Sequence, residues 1–599
     1  MPCMFFVLIL FLVRASVFAA EPINQAQGVA RDLQVSITAV VRQSQIELSF
    51  DRSAVYTIWR KPADATNWGD SVEQVTGASW TDKNPEAGKL LEYRVRCADT
   101  KREIYGYCIS GVNVDQTGWR GKIILLMADD IQVPLAKEIE QLKLDLVGDG
   151  WTPVPLIVPS LKGWTDQKQA PGIRAKVKSA YELDPKNTKL LFLLGHVPVP
   201  RSGSATPPPY PPDGHCYNTG AHPADCYYAE LYGEWTDQAT LTEFDDRRFN
   251  KVSAGKLGEN FRNLPGDGKF DQEYIPHDVV LGYGRVDMRD LSAGEELGLL
   301  RRYLEKDHKF RHAALDPQFA SAEGRCCVIR DGMLSCGSHA WESFPGLVGW
   351  SNIQFLREKD VPDGDERYVA QHGPYLFYAR GNGVPARGDG GKAAFWLGFQ
   401  SGVPYWGEAG NSMREAVAGN NYSLGFICTP YAIRYPLHRL AMGLPLGDVI
   451  KEGINNAHEL KDPGTGYQAT PSWGELYQGQ LRRVLFNLVG DPSLTLYHFP
   501  PASEALARRK GNAVTISWTA SPDTAVTGYH IWRAEALDGT WTRLTPTIVT
   551  TTKYNDDAPP AHSAWYMVRA IKMEHTGSGP FLSAAQGVFA RFDEHLPNE

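Results

Sequence analysis

The sequence predicts a multidomain chain in which a central α/β unit with a doubly wound parallel sheet is carried between two all-β sandwiches. Three observations predict it. A block of strand-like runs near the amino end recurs near the carboxyl end in the same order. Between the two blocks, apolar runs alternate with amphipathic helical segments, the signature of a sheet covered on both faces. The chain has 599 residues, whereas single hydrophobic cores stop growing at roughly 250–300 residues.

Residues 4–13 form a short apolar run, and Val17-Phe18-Ala19 offers small residues at the −3 and −1 positions of a cleavage site. This pattern predicts a secretory leader over residues 1–20, cut after Ala19 or Ala20. Arg14 interrupts the apolar stretch, so an uncleaved anchor is the competing reading, but such a run is too short for a ~30 Å hydrocarbon core. Cys3 precedes the run and is therefore no lipoprotein cysteine. No later stretch reaches membrane-spanning length, so the expected mature chain has no membrane span and is secreted, periplasmic or on the cell surface. The net charge is −8 with the two signs interspersed. Without a basic block, nucleic acid is excluded as an expected partner.

Of the nine cysteines, Cys3 falls in the leader. An oxidising compartment permits disulfides. Cys97 with Cys108 and Cys216 with Cys226 are the pairs nearest in sequence with room for a loop, and buried thiols are the alternative. The absence of any CxxC pair excludes a zinc ribbon.

The terminal repeat aligns residue by residue. Residues 46–50 (IELSF), 56–60 (YTIWR), Trp68, 80–82 (WTD) and 92–97 (EYRVRC) are matched by 514–518 (VTISW), 529–533 (YHIWR), Trp541, 554–556 (YND) and 565–570 (WYMVRA). Each run alternates apolar and polar residues, the period of a half-buried strand. Both blocks resemble fibronectin type III domains, over residues 30–117 and 501–595. The resemblance implies core positions at Phe50 and Trp518 and hydrogen-bonded corner tyrosines at Tyr93 and Tyr566.

Residues 118–500 change pattern. Strand runs at 122–130, 154–158, 189–196 and 279–287 interleave with helical spacing at 135–147, 173–183 and 295–310. Further strands are predicted at 327–330, 375–378, 393–399 and 424–428, with helices at 412–418, 446–460 and 475–488. The unit divides into halves at 118–290 and 291–500.

Gly490-Asp491-Pro492-Ser493-Leu494 closes this unit just before a sandwich, and Asp225-Cys226-Tyr227-Tyr228-Ala229-Glu230-Leu231 follows a strand ending Leu-Leu-Gly. In this layout the unit resembles the gingipain-like cysteine peptidases, which have a caspase-type α/β sheet followed by an immunoglobulin-like sandwich. Residues 263–271, 284–287 and 303–308 are also similar to a group of large exported bacterial proteins.

Such a peptidase needs a thiolate, a histidine base and backbone donors for the oxyanion. The resemblance places the histidine in a Gly-x-Gly turn after one strand and the cysteine in the turn after the next. Here those turns carry Asn382 and Phe399, neither of which supplies a base or a nucleophile. Fallback candidates are Cys336 or Cys428 as nucleophile with His339 or His438 as base, or Ser401, which lacks a Gly-x-Ser-x-Gly elbow. His196, with His215, His222 and Asp225, is a further constellation that either binds a metal or substrate above strand ends or hydrogen-bonds a long loop in place.

Asn263, Asp267 and Asp271 recur every four residues in a glycine-containing loop. This suits a structural calcium ion, although the spacing is not that of an EF-hand. Trp341, Trp350, Trp396 and Trp406 are candidates for stacking on sugars, with core packing the alternative. The expectation is an exported, non-catalytic binding or scaffold protein whose partner is an extracellular protein or surface polysaccharide. A cysteine peptidase with displaced catalytic residues and a carbohydrate-binding protein are the alternatives.

Overall fold

The computed structural model describes residues 34–98, 104–164, 167–203, 220–244, 255–320, 326–330, 339–356, 373–380, 392–399, 406–429, 435–455 and 484–593. The leader, Ser401, His215, Cys216, Cys336 and Asn382 lie outside them. No helix among the described residues is long and apolar enough to cross a membrane.

The first unit comprises β1 (Ile37–Arg42), β2 (Gln45–Pro62), β3 (Glu73–Asp82), β4 (Leu91–Cys97) and β5 (Ile104–Ser110). Alternation along β2 turns Ile46, Leu48, Tyr56 and Ile58 inward, where they meet Tyr93 and Val95 of β4. A register shift between Ser49 and Ala54 divides β2 in two. The first part pairs with β1, the second with β4, and β3 runs alongside both. The next strand, β6 (Val114–Asp115), does not belong to this unit. It pairs in parallel with a strand of the last sandwich, Phe581 facing Val114. The connector thus ties the two ends of the chain together.

The central unit runs β7 (Gly121–Ala128), α1 (Ala136–Gly148), β8 (Trp151–Val158), α2 (Ala170–Glu182) and β9 (Thr188–Leu194). A loop region follows with two short ribbons, β10 (Arg201–Ser202) with β11 (His222–Pro223) and β12 (Glu243–Phe244) with β13 (Gly255–Lys256). Between the ribbons lies the single-turn helix α3 (Cys226–Ala229). Then come β14 (Gly282–Val286), α4 (Glu296–Arg311), β15 (Cys327–Arg330), α5 (His339–Val348), β16 (Ile353–Leu356), β17 (Tyr375–Arg380) and β18 (Ala393–Phe399). The unit ends with α6 (Ser412–Gly419), β19 (Gly425–Thr429), α7 (Leu446–Asn455) and β20 (Asn487–Gly490).

These strands form one ten-stranded sheet in the order β16-β15-β17-β18-β19-β20-β14-β9-β7-β8. Its two cores cover opposite faces, with Ile124, Leu126, Leu191 and Leu193 on one side and Ile123, Leu125, Phe192 and Leu194 on the other. That double burial is why the strands read as unbroken apolar runs. The expected uniformly parallel sheet needs correction. Neighbours are parallel throughout except at β19 and β20, which are antiparallel, so the sheet is two parallel halves running in opposite directions. The reversal is made at a glycine pair, Gly425 facing Gly490. Gly490 has φ +150°, and a Cβ there would come within 2.6 Å of the Leu424 carbonyl oxygen. Residues 487–490 are therefore strand, where the sequence pattern gave the end of a helix.

The last unit packs two sheets around Val514, Ile516, Trp518, Ile531, Tyr566 and Val568. One sheet is β21 (Ser503–Lys510), β22 (Ala513–Thr519) and, after two intervening strands, β25 (Lys553–Asp556). The other holds β23 (Val526–Ala534), β24 (Thr542–Arg543), β26 (Ser563–Thr576), β27 (Gly579–Ala584) and β28 (Val588–Asp593). The two end units share register. Arg60 faces Tyr93 and Tyr56 faces Cys97 in the first; Arg533 faces Tyr566 and Tyr529 faces Ala570 in the last. The side chains repeat too. The Tyr93 hydroxyl donates to Asp82 at 2.9 Å and Arg60 pairs with Asp82 at 2.7 Å. The Tyr566 hydroxyl donates to Asp556 at 2.8 Å and Arg533 pairs with Asp556 at 2.7 Å. Phe50 meets Tyr56 with ring centroids 4.4 Å apart, and Trp518 meets Tyr529 at 5.2 Å.

The residues 490–494 turn is an anchor for α4. Arg311 is fully buried, and its guanidinium donates to Asp491 at 2.6 Å, to Asp307 at 2.8 Å, to the Ser493 hydroxyl at 2.9 Å and to Asp149. One cation thus holds carboxylates from the end of α1, from α4 and from the turn after β20. Lys306, also buried, donates to the carbonyls of Val417, Asn420 and Ser423 at 2.6–2.8 Å and so satisfies the carboxyl end of α6. Burial brings its pKa down to about 7.

Candidate functional site

Open α/β sheets place ligands beyond the carboxyl ends of their strands. Because the halves run in opposite directions, this sheet has two such places on opposite sides.

In the second half, β17 and β18 are parallel neighbours, with Arg380 facing Gly398. Phe399 is the last residue of β18, and Asn382, two residues past the end of β17, lies outside the described residues. The row continues across the sheet: Gly398 faces Cys428, and Cys428 faces Asn487. Cys428 is fully buried within the apolar core beside Phe426 and Gly398. It sits where a core strand residue sits and is closed to a substrate. Asn487 is 2% exposed, and neither atom of its amide has a partner among the described residues. His339 begins α5.

Among the described residues, the first half carries a charged cluster at its carboxyl ends. Gly195, at φ +81°, turns the chain after β9 so that its N–H donates to the Val286 carbonyl at the end of β14. The next residue, His196, faces Asp287 with Nδ1 2.8 Å from Oδ2 and Nε2 2.8 Å from the Gly163 carbonyl. Arg285 holds Asp225 through two 2.8 Å bonds and donates to the Val197 carbonyl at 2.7 Å. Arg414 lies 3.6 Å from Asp287 and donates to the Trp406, Arg289 and Glu408 carbonyls. Trp164 stands edge-on to the His196 ring at 4.5 Å and Trp406 lies under Arg285 at 4.6 Å.

Burial alone would push Asp287 up. The charges of His196, Arg414 and Arg285 outweigh it and bring the carboxyl to about 2. Burial lowers His196, but Asp287 overrides it and raises the imidazole above its ordinary value. Both His196 nitrogens are committed and the ring is fully buried, so no lone pair is offered to a reacting atom. Asp225, at the start of α3, is locked to β14 through Arg285. His222 is buried on β11, with its ring 5.4 Å from Phe261.

His438 belongs to a third place, the contact between the first sandwich and the central unit. Its Nε2 lies 2.7 Å from Glu92, which also takes Lys61 at 2.7 Å and Arg439 at 3.0 Å. Burial holds His438 below the usual imidazole range, against the pull of Glu92. For Glu92, Lys61 and Arg439 outweigh the effect of burial and keep the carboxyl well below the usual range. The ring is stacked on Tyr107 at 5.8 Å. His438 is a docking residue of the domain contact.

No protein-family model matches the chain, and no curated protein matches it. Solved structures do resemble it, at low scores. A protease is 9% identical over 79% of this chain and 98% of its own, with a TM-score of 0.42. The Arg-specific cysteine proteinase gingipain R is 11% identical over 78% of this chain and 98% of its own, with a TM-score of 0.38. Dimeric latent PorU from Porphyromonas gingivalis is 9% identical over 95% of this chain and 64% of its own, with a TM-score of 0.27.

In the 263–271 loop, the carboxylates are met by N–H donors. Asp271 accepts from Thr236 Oγ1, the N–H groups of Gln238 and Ala239, and Asn263 Nδ2, at 2.8–3.2 Å. Asp267 accepts from the N–H groups of Leu264 and Lys269. The Lys269 ammonium sits 3.2 Å from Asp267 and donates to the Glu259 and Arg262 carbonyls. Here a lysine supplies the positive charge that the acidic spacing calls for. Among the described residues, buried Asn263 Oδ1 has no hydrogen-bond partner.

The aromatic and cysteine candidates separate as well. Trp396 and Trp406 are core residues, the former donating to Ser423 at 2.7 Å, while Trp350 is exposed. Cys97 and Cys108 are not bridged: Cys97 faces Ile104 and Cys108 faces Tyr93, four positions apart on the β4–β5 ladder. With Cys226, they are buried thiols.

Proposed function

We propose that this chain is an exported, non-catalytic binding or scaffold protein: a pseudo-peptidase of gingipain-like layout between two fibronectin type III-like modules. The observation that carries the reading is Phe399 at the end of β18, beside its parallel neighbour β17. On the resemblance, adjacent strand ends there would hold nucleophile and base; Phe399 ends β18, and in the sequence the matching turn after β17 carries Asn382. The described fallback groups are committed elsewhere: Cys428 to the core, His438 to Glu92 and His196 to Asp287. Without a thiolate and a base, acyl transfer has no starting nucleophile, whatever the oxyanion donors.

The mature chain, incubated with a mixed peptide library and analysed by mass spectrometry, is expected to leave every peptide intact. Cleavage that disappears in a Cys336→Ala variant would replace this reading with that of an active cysteine peptidase.

One observation favours a carbohydrate ligand. A cleft of about 690 Å³ opens between the first sandwich, β6 and the amino ends of β9 and β14. Trp119, 44% exposed, stands at this cleft with Lys89, Asp115 and Lys451. An accessible indole face beside mixed charges suits a sugar ring and its hydroxyls. Glycan-array binding that is lost in Trp119→Ala supports this ligand class; binding unchanged in that variant moves it elsewhere.

A further inference from the structure

Helix α4 ends in two histidines one turn apart, His308 and His312, the latter its capping residue. Their rings lie together, with centroids 4.3 Å apart. Both meet the same carboxylate, Asp145, from the neighbouring helix α1. His308 Nδ1 is 2.9 Å and 3.0 Å from the two Asp145 oxygens, and His312 Nε2 is 3.2 Å from one of them. All three donor atoms lie within 4.8 Å of one another. None of these residues takes part in the sites described above.

We propose that Asp145, His308 and His312 form a binding site for a divalent transition-metal ion of the zinc class. Several observations converge on it. Histidines four apart on a helix present their rings on one face, the spacing by which helices commonly offer two imidazoles to a metal. Two imidazole nitrogens and one carboxylate oxygen are a donor set for zinc, cobalt or nickel and not for calcium or magnesium, which take oxygen. Bonds of about 2.0–2.1 Å put tetrahedral ligands roughly 3.3 Å apart. The present carboxylate–imidazole separations of 2.9–3.2 Å therefore need to open by only tenths of an ångström.

The surroundings fit as well. Asp145 is 3% exposed, and Gln141 Nε2 donates to its Oδ1 at 3.1 Å, orienting the carboxylate from behind as second partners of metal ligands do. The histidine side chains are 36% and 26% exposed, which leaves an entry path and room for water on the open coordination positions. The site is at the carboxyl end of α4, where the helix dipole favours a cation. Neighbouring Arg311 is buried and makes its own bonds to Asp149, Asp307 and Asp491.

The placement gives the ion a task. The Asp145 carbonyl accepts from Gln586 Nε2 at 2.9 Å, and the Gly148 carbonyl accepts from the Gly587 N–H at 3.1 Å. Gln586 and Gly587 belong to the last sandwich, so the ion clamps α1 to α4 where that sandwich docks. A ligand that binds only the folded arrangement stabilises it.

The test uses untagged, chelator-treated mature protein titrated with zinc by calorimetry and with cobalt by visible absorption. The expected result is one equivalent bound, a cobalt spectrum of low coordination number, and a rise in Tm with zinc. His308→Gln and His312→Ala, checked for folding by circular dichroism, are each expected to weaken binding at least tenfold, whereas His277→Ala at an exposed position elsewhere leaves it unchanged. If the variants do not fold, the wild-type protein still decides. Zinc is expected to protect His308 and His312, mapped by mass spectrometry, from modification by diethyl pyrocarbonate. No stoichiometric binding, undiminished binding in both folded variants, or equal modification of these residues with and without zinc overturns the proposal.

Discussion

Among the described residues, the carboxyl ends of β9 and β14 carry an imidazole, two carboxylates and two guanidinium groups in one bonded cluster, whereas the last residues of β18 and β19 include Phe399 and Cys428, with Asn487 of β20 facing Cys428. By composition alone, the first place looks like an active site and the second does not. Geometry reverses that impression. In the charged cluster every pairing is internal: His196 spends both nitrogens, Asp225 is gripped twice by Arg285, and the groups are sealed from solvent. In the second place, Cys428 is packed into the apolar core and closed to a substrate. A charged cluster at strand ends is therefore no guide to chemistry unless some atom in it is left free.

The comparison is broken most severely by removing a cation from a sealed cluster. Arg311→Met strands Asp149, Asp307 and Asp491 in the interior, and losing one member of a buried pair costs about 3–5 kcal/mol. Chemical denaturation is expected to show a loss of that size or larger. A loss below 1 kcal/mol would mean that water reaches these carboxylates.

Acid sharpens the contrast next. Asp287 has its pKa depressed to about 2, so its stabilisation is present above the ordinary carboxylate range and is lost as pH falls towards 2. A depression of this size contributes about 2–3 kcal/mol. His196 is raised, so its contribution is full below the ordinary imidazole pKa and fades as pH rises through the folded value. Asp287→Asn is expected to flatten both limbs of the stability–pH curve, measured by urea titration at stepped pH. Identical curves for variant and wild type would remove the ion pair from the account.

The end sandwiches give a smaller, paired effect. Tyr93→Phe and Tyr566→Phe each leave a buried carboxylate one donor short, at Asp82 and Asp556, which costs about 1–3 kcal/mol. Near-equal losses are expected from local hydrogen exchange of the two units. A large loss in one and none in the other breaks their equivalence. Smallest of all is Cys428→Ala, which removes a buried thiol from a packed core at about 1 kcal/mol and is expected to change nothing but stability.

The strands of the two end units were legible because period-two patterns and the Tyr-x-Ile-Trp-Arg repeat are local, and local pattern fixes both strand identity and inward face. The apolar strands of the central unit were legible for the same reason. Strand direction was not. An apolar run reads alike in either sense, so the reversal between β19 and β20 emerges only when Gly425 meets Gly490. The role of Asp491 in the 490–494 turn was hidden because its partner Arg311 is 180 positions away in sequence. At the candidate sites, sequence supplied residue types without separations: His196 and Asp225 stand near one another but bond to different partners. The i,i+4 pair His308 and His312 was visible in the sequence, yet its third member Asp145 is brought by helix packing alone.

On the proposed function, no cysteine of this chain works as a nucleophile. The most direct test is treatment of the native mature protein with peptidyl chloromethyl ketones of varied sequence, followed by peptide mapping of every cysteine. The account predicts no labelling before denaturation and full reactivity after it. Stoichiometric labelling of Cys336 in the native protein, abolished in His339→Ala, would contradict it.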